Sequence, residues 1–233
     1  MDFLFILKTL PRLMPPLGVT IAVSLVSLLL GTLLGLTLGV LRVWVGRPWG
    51  WVIDLYVELV RGTPILIQIY AVHFLLPPLL NVKLPLFWEG VIALTINSVG
   101  YQIEIVRAGL QSIPQGQWEA ARAVGMTDSL TLWVILLPQA ARQIIPPLTN
   151  ELSNLVKASS VLSVIALFEL HKAGSSIATS SFKFIEMLAA QAVLYFLVIY
   201  SLSACTHYLE TRVFTYGRTS PEGSPTPDLM IRA

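Results

Sequence analysis

The residues of this chain that could do chemistry stand inside or beside long apolar runs. Glu58 and Arg61 precede an uncharged stretch, residues 62–82, that contains His73. Asn97, Gln102 and Glu104 fall in the next apolar segment, and Asn150, Glu151 and Lys157 interrupt a later one. Ionisable groups at membrane depth are costly and face a bundle interior, a polar cavity or each other. A polar lining there would offer donors to an anionic group and acceptors to a cationic one. Asn97 and Glu151 have the chemistry for the latter, and Gln102, Asn150 and His73 are further candidates for a polar lining. The competing reading is that these groups pair with one another, His73 as a hydrogen-bonded core histidine. Glu58 with Arg61, and Glu104 with Arg107, are three apart, the spacing of neighbours on a helix. Both read as structural ion pairs. Gly62-Thr63-Pro64 should distort its helix, because Pro64 supplies no backbone donor. No reaction chemistry is visible. There is no G-x-S-x-G, no HExxH and no G-x-x-x-x-G-K-[ST], so neither hydrolysis, a metal site nor ATP cleavage is expected in this chain.

The elements that must position these residues are membrane helices. Of 233 residues, 55% are hydrophobic and 12% charged, which excludes an ordinary soluble domain. The net charge of +2 and the scattered basic residues give no nucleic-acid surface. Cys205 stands alone, without a disulfide or redox partner in the chain. Residues 17–41 carry no charge and exceed the span of the hydrocarbon core. Gly31, Gly35 and Gly39 repeat every four residues there, which reads either as a stripe for close helix approach or as simple tolerance of glycine. Further elements are expected over about 51–76, 86–110, 130–168 and 187–206. The fourth is too polar for lipid, and Pro146-Pro147 mark it as broken and buried. Residues 169–186 read as a polar connector, and the segment before residue 17 as an interfacial lead-in. The expectation is an all-α integral membrane domain over 1–216 with about five spans and a disordered tail over 217–233. Alternate loops carry Arg42, Arg47, Arg107, Arg122, Arg212 and Arg218 against Lys8, Arg12, Lys83, Lys172 and Lys183. Six against five favours an outside N-terminus and a cytoplasmic C-terminus.

The loop over 114–126 reads as a short helix between two spans. Pro114 suits its first turn, Gly125 its stop, and Thr127-Asp128-Ser129 cap the next helix. Its small apolar surface suits either a groove on a partner protein or the lipid headgroups.

Glu119-Ala120-Ala121, then Gly125, then Ile135-Leu136-Leu137-Pro138 resembles the EAA motif of bacterial ABC importer permeases, with every fixed position matched. The runs RGTP at 61–64, EIVRAG at 104–109, QSIPQGQWEAA at 111–121, LPQAARQIIPPLTN at 137–150 and LVKASSVLSVIALFE at 155–169 resemble its polar amino-acid uptake subfamily. The resemblance implies a type I permease fold in a bacterial inner membrane. It implies that Glu119, Ala120, Ala121 and Gly125 form a coupling helix on an ATPase dimer, which holds the ATP and magnesium. It further implies a second permease chain, an extracytoplasmic amino-acid-binding protein, and an RGTP segment near the cytoplasmic side. Glu151 gives a mild preference for basic substrates. Ala158 departs from the acidic or amide residue of many relatives, so no polar contact is carried over there. The alternative is a stand-alone secondary transporter, but no internal duplication supports it.

Overall fold

The computed structural model describes residues 1–44 and 49–213, with side chains as far as Cys205. Arg47, the side chain of Arg212, and the 217–233 tail lie outside the described residues. Among those described, every regular element is helical.

Helix α1 spans Phe3–Trp44, 42 residues, or roughly 63 Å at the helical rise. The expected lead-in is therefore a continuation of the first span, despite Pro11, Pro15 and Pro16 within it. Packing explains this. Leu13 is buried with Leu170 and Met187, and Asp2 caps the start by accepting from the Phe5 N–H at 3.0 Å.

The second span is broken. Helix α2 (Trp49–Gly62) and helix α3 (Ile65–Leu80) meet at Thr63-Pro64 with a bend of 108°. Helix α4 (Leu86–Gln111, 26 residues) forms the centre of the bundle. Its buried positions run nearly the whole length, so it can carry Glu89, Gln102 and Glu104 where a lipid-facing helix could not. The glycines of α1 resolve as a packing stripe against α4. A Cβ on Gly35 would sit 2.6 Å from the Gln102 Cβ, and one on Gly39 2.7 Å from the Val106 Cβ.

Helix α5 (Gln115–Ala123) follows α4 at one end of the bundle. The next span starts as α6 (Asp128–Thr131), widens into a π-helical turn (Leu132–Leu136), and becomes α7 (Leu137–Ala158). The Leu137 N–H reaches back five residues to the Leu132 carbonyl. Pro138 explains the widening, since it has no N–H to offer the preceding turn. A 3-10 stretch (Ser159–Ile165) ends the span. The residues expected as a polar connector fold instead into α8 (Leu170–Ser181), and α9 (Phe184–Val213) closes the bundle. Alone, α1 and the Phe184–Cys205 part of α9 are long and apolar enough to cross a membrane. Counting each of two bent pairs, Trp49–Gly62 with Ile65–Leu80 and Asp128–Ile165 with Leu170–Ser181, as one span raises the number to four among the described residues.

Candidate functional site

Glu151 sits on α7, directly after Asn150 and one turn before Asn154, and is only 5% exposed. Its Oε1 accepts from the Ser98 hydroxyl of α4 at 2.8 Å. That hydroxyl in turn accepts from Gln102 Nε2 at 2.9 Å. Gln102 is fully buried against the glycine face of α1, and its Oε1 has no hydrogen-bond partner. The chain of donors runs Gln102 to Ser98 to Glu151, so the Ser98 proton is aimed at the carboxylate. The spacing of Ser98 and Gln102 was open to reading, but Ser98 itself carried no signal.

Glu151 opens on a groove of about 460 Å³ shared with Arg61, Tyr101, Glu104, Gln143 and Asn150. A second depression of about 350 Å³ adjoins it through Tyr101, Glu151 and Asn154, and adds Asn97 and Thr63-Pro64. The polar candidates thus divide. Asn97, Asn150 and Glu151 meet in one continuous groove. Gln102 stands behind it, buried, and acts on it only through Ser98. His73 is not part of it: its Nδ1 is 2.5 Å from Glu89 Oε2, in a pair that joins α3 to α4. The histidine is hydrogen-bonded to a buried carboxylate, for which no other partner is seen among the described residues.

The break between α2 and α3 lies at the level of the groove. Gln68 braces it, donating to the carbonyls of Val60 and Thr63 and accepting from Asn97 Nδ2 at 3.0 Å. A Cβ on Gly100 would meet Val60 at 2.6 Å. Residues 61–64 therefore sit against the part of α4 around Gly100 and Tyr101. The expected Glu58–Arg61 pair does not form. Glu58 is exposed, while the Arg61 guanidinium lies over the Tyr101 ring, 5.8 Å from its centroid. Arg61 is in the last turn of α2, where the helix ends and its side chain can turn to the aromatic face on α4. Glu104 and Arg107 do pair, and Arg107 also donates to Gln111.

Helix α5 is amphipathic at close quarters. Ala121 is 2% exposed, and Trp118 packs with the cluster of Val106, Leu132 and Leu136. Gln139 Nε2 reaches Gln117 Oε1 at 3.3 Å. These contacts seat the helix on the bundle. Glu119, Ala120 and Ala123 face outward, and Val124 is 76% exposed. Ala121 therefore belongs to the seat of the helix. Gly125 has φ +79°. The Met126 N–H donates to the Ala121 carbonyl and the Gly125 N–H to that of Arg122, both at 3.0 Å. This is the paired closure of a Schellman end, which asks for glycine at that position. Across the turn Arg122 Nε donates to Asp128 at 3.1 Å, and the Thr127 hydroxyl accepts from the Leu130 N–H. Arg122 is thus engaged within the chain.

The chain is thus a helical bundle with a broken span, an outward-facing helix beside one end and a polar groove between α2, α4 and α7. The family model described as "Binding-protein-dependent transport system inner membrane component" matches residues 31–215. The chain belongs to this family. The permease is 39% identical over 171 residues to the L-cystine transport system permease protein TcyB of Bacillus subtilis (strain 168), covering 73% of each chain. It is 34% identical over 203 residues to the arginine transport system permease protein ArtQ of the same organism, covering 87% of this chain and 93% of that one. A solved structure described as an amino acid ABC transporter with histidines superposes with a TM-score of 0.84 at 32% identity, covering 91% of this permease and 99% of that chain. The permease therefore has the type I importer fold and is a transport subunit, not an enzyme.

Proposed function

We propose that this permease moves a polar L-amino acid into the cytoplasm, with a preference for cationic side chains, driven by a dimeric ATP-binding-cassette partner that docks on α5. The observation that carries this reading is the outward face of α5: Glu119, Ala120 and Ala123, seated from behind by Trp118 and Ala121 and closed by Gly125. Small side chains allow close approach of a partner surface, and Glu119 offers a carboxylate to a basic residue on it. ATP and magnesium belong to that partner. The α5 side is then cytoplasmic and the N-terminus outside, as the arginine distribution favours.

The relatives named for cystine and arginine support an amino-acid cargo, as does the histidine-bound structure. Glu151 and Asn97 provide acceptors for an ammonium. A carboxylate held by the neutral donors Ser98 and Asn154 has no cationic partner within the chain and retains acceptor capacity for one, which supports the cationic preference. The polar face of α7, with Gln143, Asn150, Asn154 and Lys157, is not buried by its own chain. At membrane depth it needs cover, and a second permease chain, identical or homologous, supplies it. An extracytoplasmic binding protein delivers the cargo.

Co-purification from detergent tests the docking. An ATPase subunit is expected with the wild type and lost from a Glu119→Lys, Gly125→Val double variant that still runs as a folded protein. A permease that purifies alone and takes up amino acids on an ion gradient would identify a secondary transporter instead.

A further inference from the structure

Arg61 is an exposed cation in the last turn of α2, on the wall of the groove. Among the described residues no carboxylate lies within 4 Å of it, whereas Arg42, Arg107 and Arg122 are each paired, to Asp54, Glu104 and Asp128. The nearby acids are committed or turned away: Glu104 holds Arg107, and Glu58 is exposed on α2 without a cationic partner. Arg61 is exposed to the groove and makes no close ion pair, so its guanidinium donors are available to an anion from outside the chain.

We infer that Arg61 anchors the α-carboxylate of the transported amino acid, an inference that rests on the reading of the groove as an amino-acid pathway. Arg61 and Glu151 line the same cleft, so it presents a cationic and an anionic wall to one zwitterion. The stacking on Tyr101 engages the flat face of the guanidinium. Its donor edge lies in the guanidinium plane and stays free for two parallel hydrogen bonds to a carboxylate. The backbone there is held by Gln68, which binds Val60 on one side of the break and Thr63 within it. Arg61 thus reads what all amino acids share, and the opposite wall reads what distinguishes them.

The test is equilibrium binding to the permease–ATPase complex in nanodiscs, with no binding protein present. L-Arginine, L-glutamine and L-cystine are screened first, and the ligand bound is compared with its own α-carboxamide. The wild type should prefer the free acid. Arg61→Gln should weaken the acid by about 10- to 100-fold and leave the carboxamide unchanged, so the preference collapses. Arg61→Lys keeps the charge without the fork and should fall between the two. Equal weakening of both ligands would make Arg61 merely structural. An intact preference in Arg61→Gln would assign its counter-charge to a carboxylate of the second permease chain. Either result overturns the inference while leaving the amino-acid pathway standing. Failure of the wild type to bind any of the three would overturn the pathway reading itself.

Discussion

Glu151 and Glu169 are both buried carboxylates at membrane depth, and they are satisfied in opposite ways. Glu169 is fully buried. It accepts from the His171 and Lys172 N–H groups at 2.8 and 2.7 Å, and from the hydroxyls of Tyr195 and Thr20 at 3.0 and 3.3 Å. It caps α8 and ties that helix to α1 and α9. Three donors converge on its Oε2 and one on its Oε1, and the group is closed off inside the packed helices. Glu151 is held by two side chains, Ser98 and Asn154, and its surroundings open on a groove. A carboxylate enclosed by backbone and helix partners holds helices together, and one at a cavity wall is, on the reading proposed above, placed to meet cargo. Glu169 is a piece of the fold, and Glu151 a piece of the function.

The comparison can be broken at several points. Glu169→Ala should have the largest effect. It removes a cap and orphans buried donors, at a cost of roughly 2–4 kcal/mol, and the monodisperse peak in size-exclusion chromatography should be lost. A variant that folds and transports normally would remove Glu169 from the structural class. Glu151→Gln should leave that peak intact and raise the KM for a cationic amino acid at least about tenfold. Uptake kinetics in vesicles would show it, and an unfolded protein would erase the distinction. Ser98→Ala acts on the same carboxylate at one remove. The loss of one donor predicts a KM change of about 3- to 10-fold, smaller than for Glu151→Gln and absent in a Glu151→Gln background. Additive effects would disconnect Ser98 from the carboxylate.

The smallest effect concerns an acid outside the membrane. Hydrogen bonds from Lys183 and from the Phe5 N–H hold the Asp2 carboxyl below its ordinary value of 3.8. A depressed carboxyl stabilises the fold above that ordinary value, and the contribution is lost as pH falls through the lowered one. The melting-temperature gap between wild type and Asp2→Asn should therefore be constant near neutrality and close only in acid.

The contrast also separates what a sequence discloses from what it does not. Charge-free runs locate the spans, because lipid admits no other composition. Pro64 announces the broken helix, and Pro114 with Gly125 the ends of α5, because each constrains the backbone by itself. Glu151 is conspicuous as an acid in an apolar segment. Glu169 is equally acidic but looks like part of a connector. Glutamate is an uncommon cap, and its partners Thr20 and Tyr195 are distant in sequence. Distance likewise hides the His73–Glu89 pair. Arg61 misleads for a different reason. Its spacing from Glu58 suggests a pair, but the helix ends at Gly62 and an aromatic ring on α4 offers a nearer face. Spacing within one helix is readable, whereas partners on neighbouring helices depend on packing.

The central claim is that ATP hydrolysed by a partner moves cargo through this permease by way of α5. Reconstitution in vesicles with the ATPase and the binding protein measures it directly, as uptake and hydrolysis in the same sample. The account predicts ATP-dependent uptake that Gly125→Val abolishes. A β-branched residue at φ +79° strains the Schellman end, while no neighbour lies within 4 Å to clash with its Cβ and the membrane domain stays folded. Undiminished ATP-driven uptake by Gly125→Val, or uptake that needs no ATP, would contradict it.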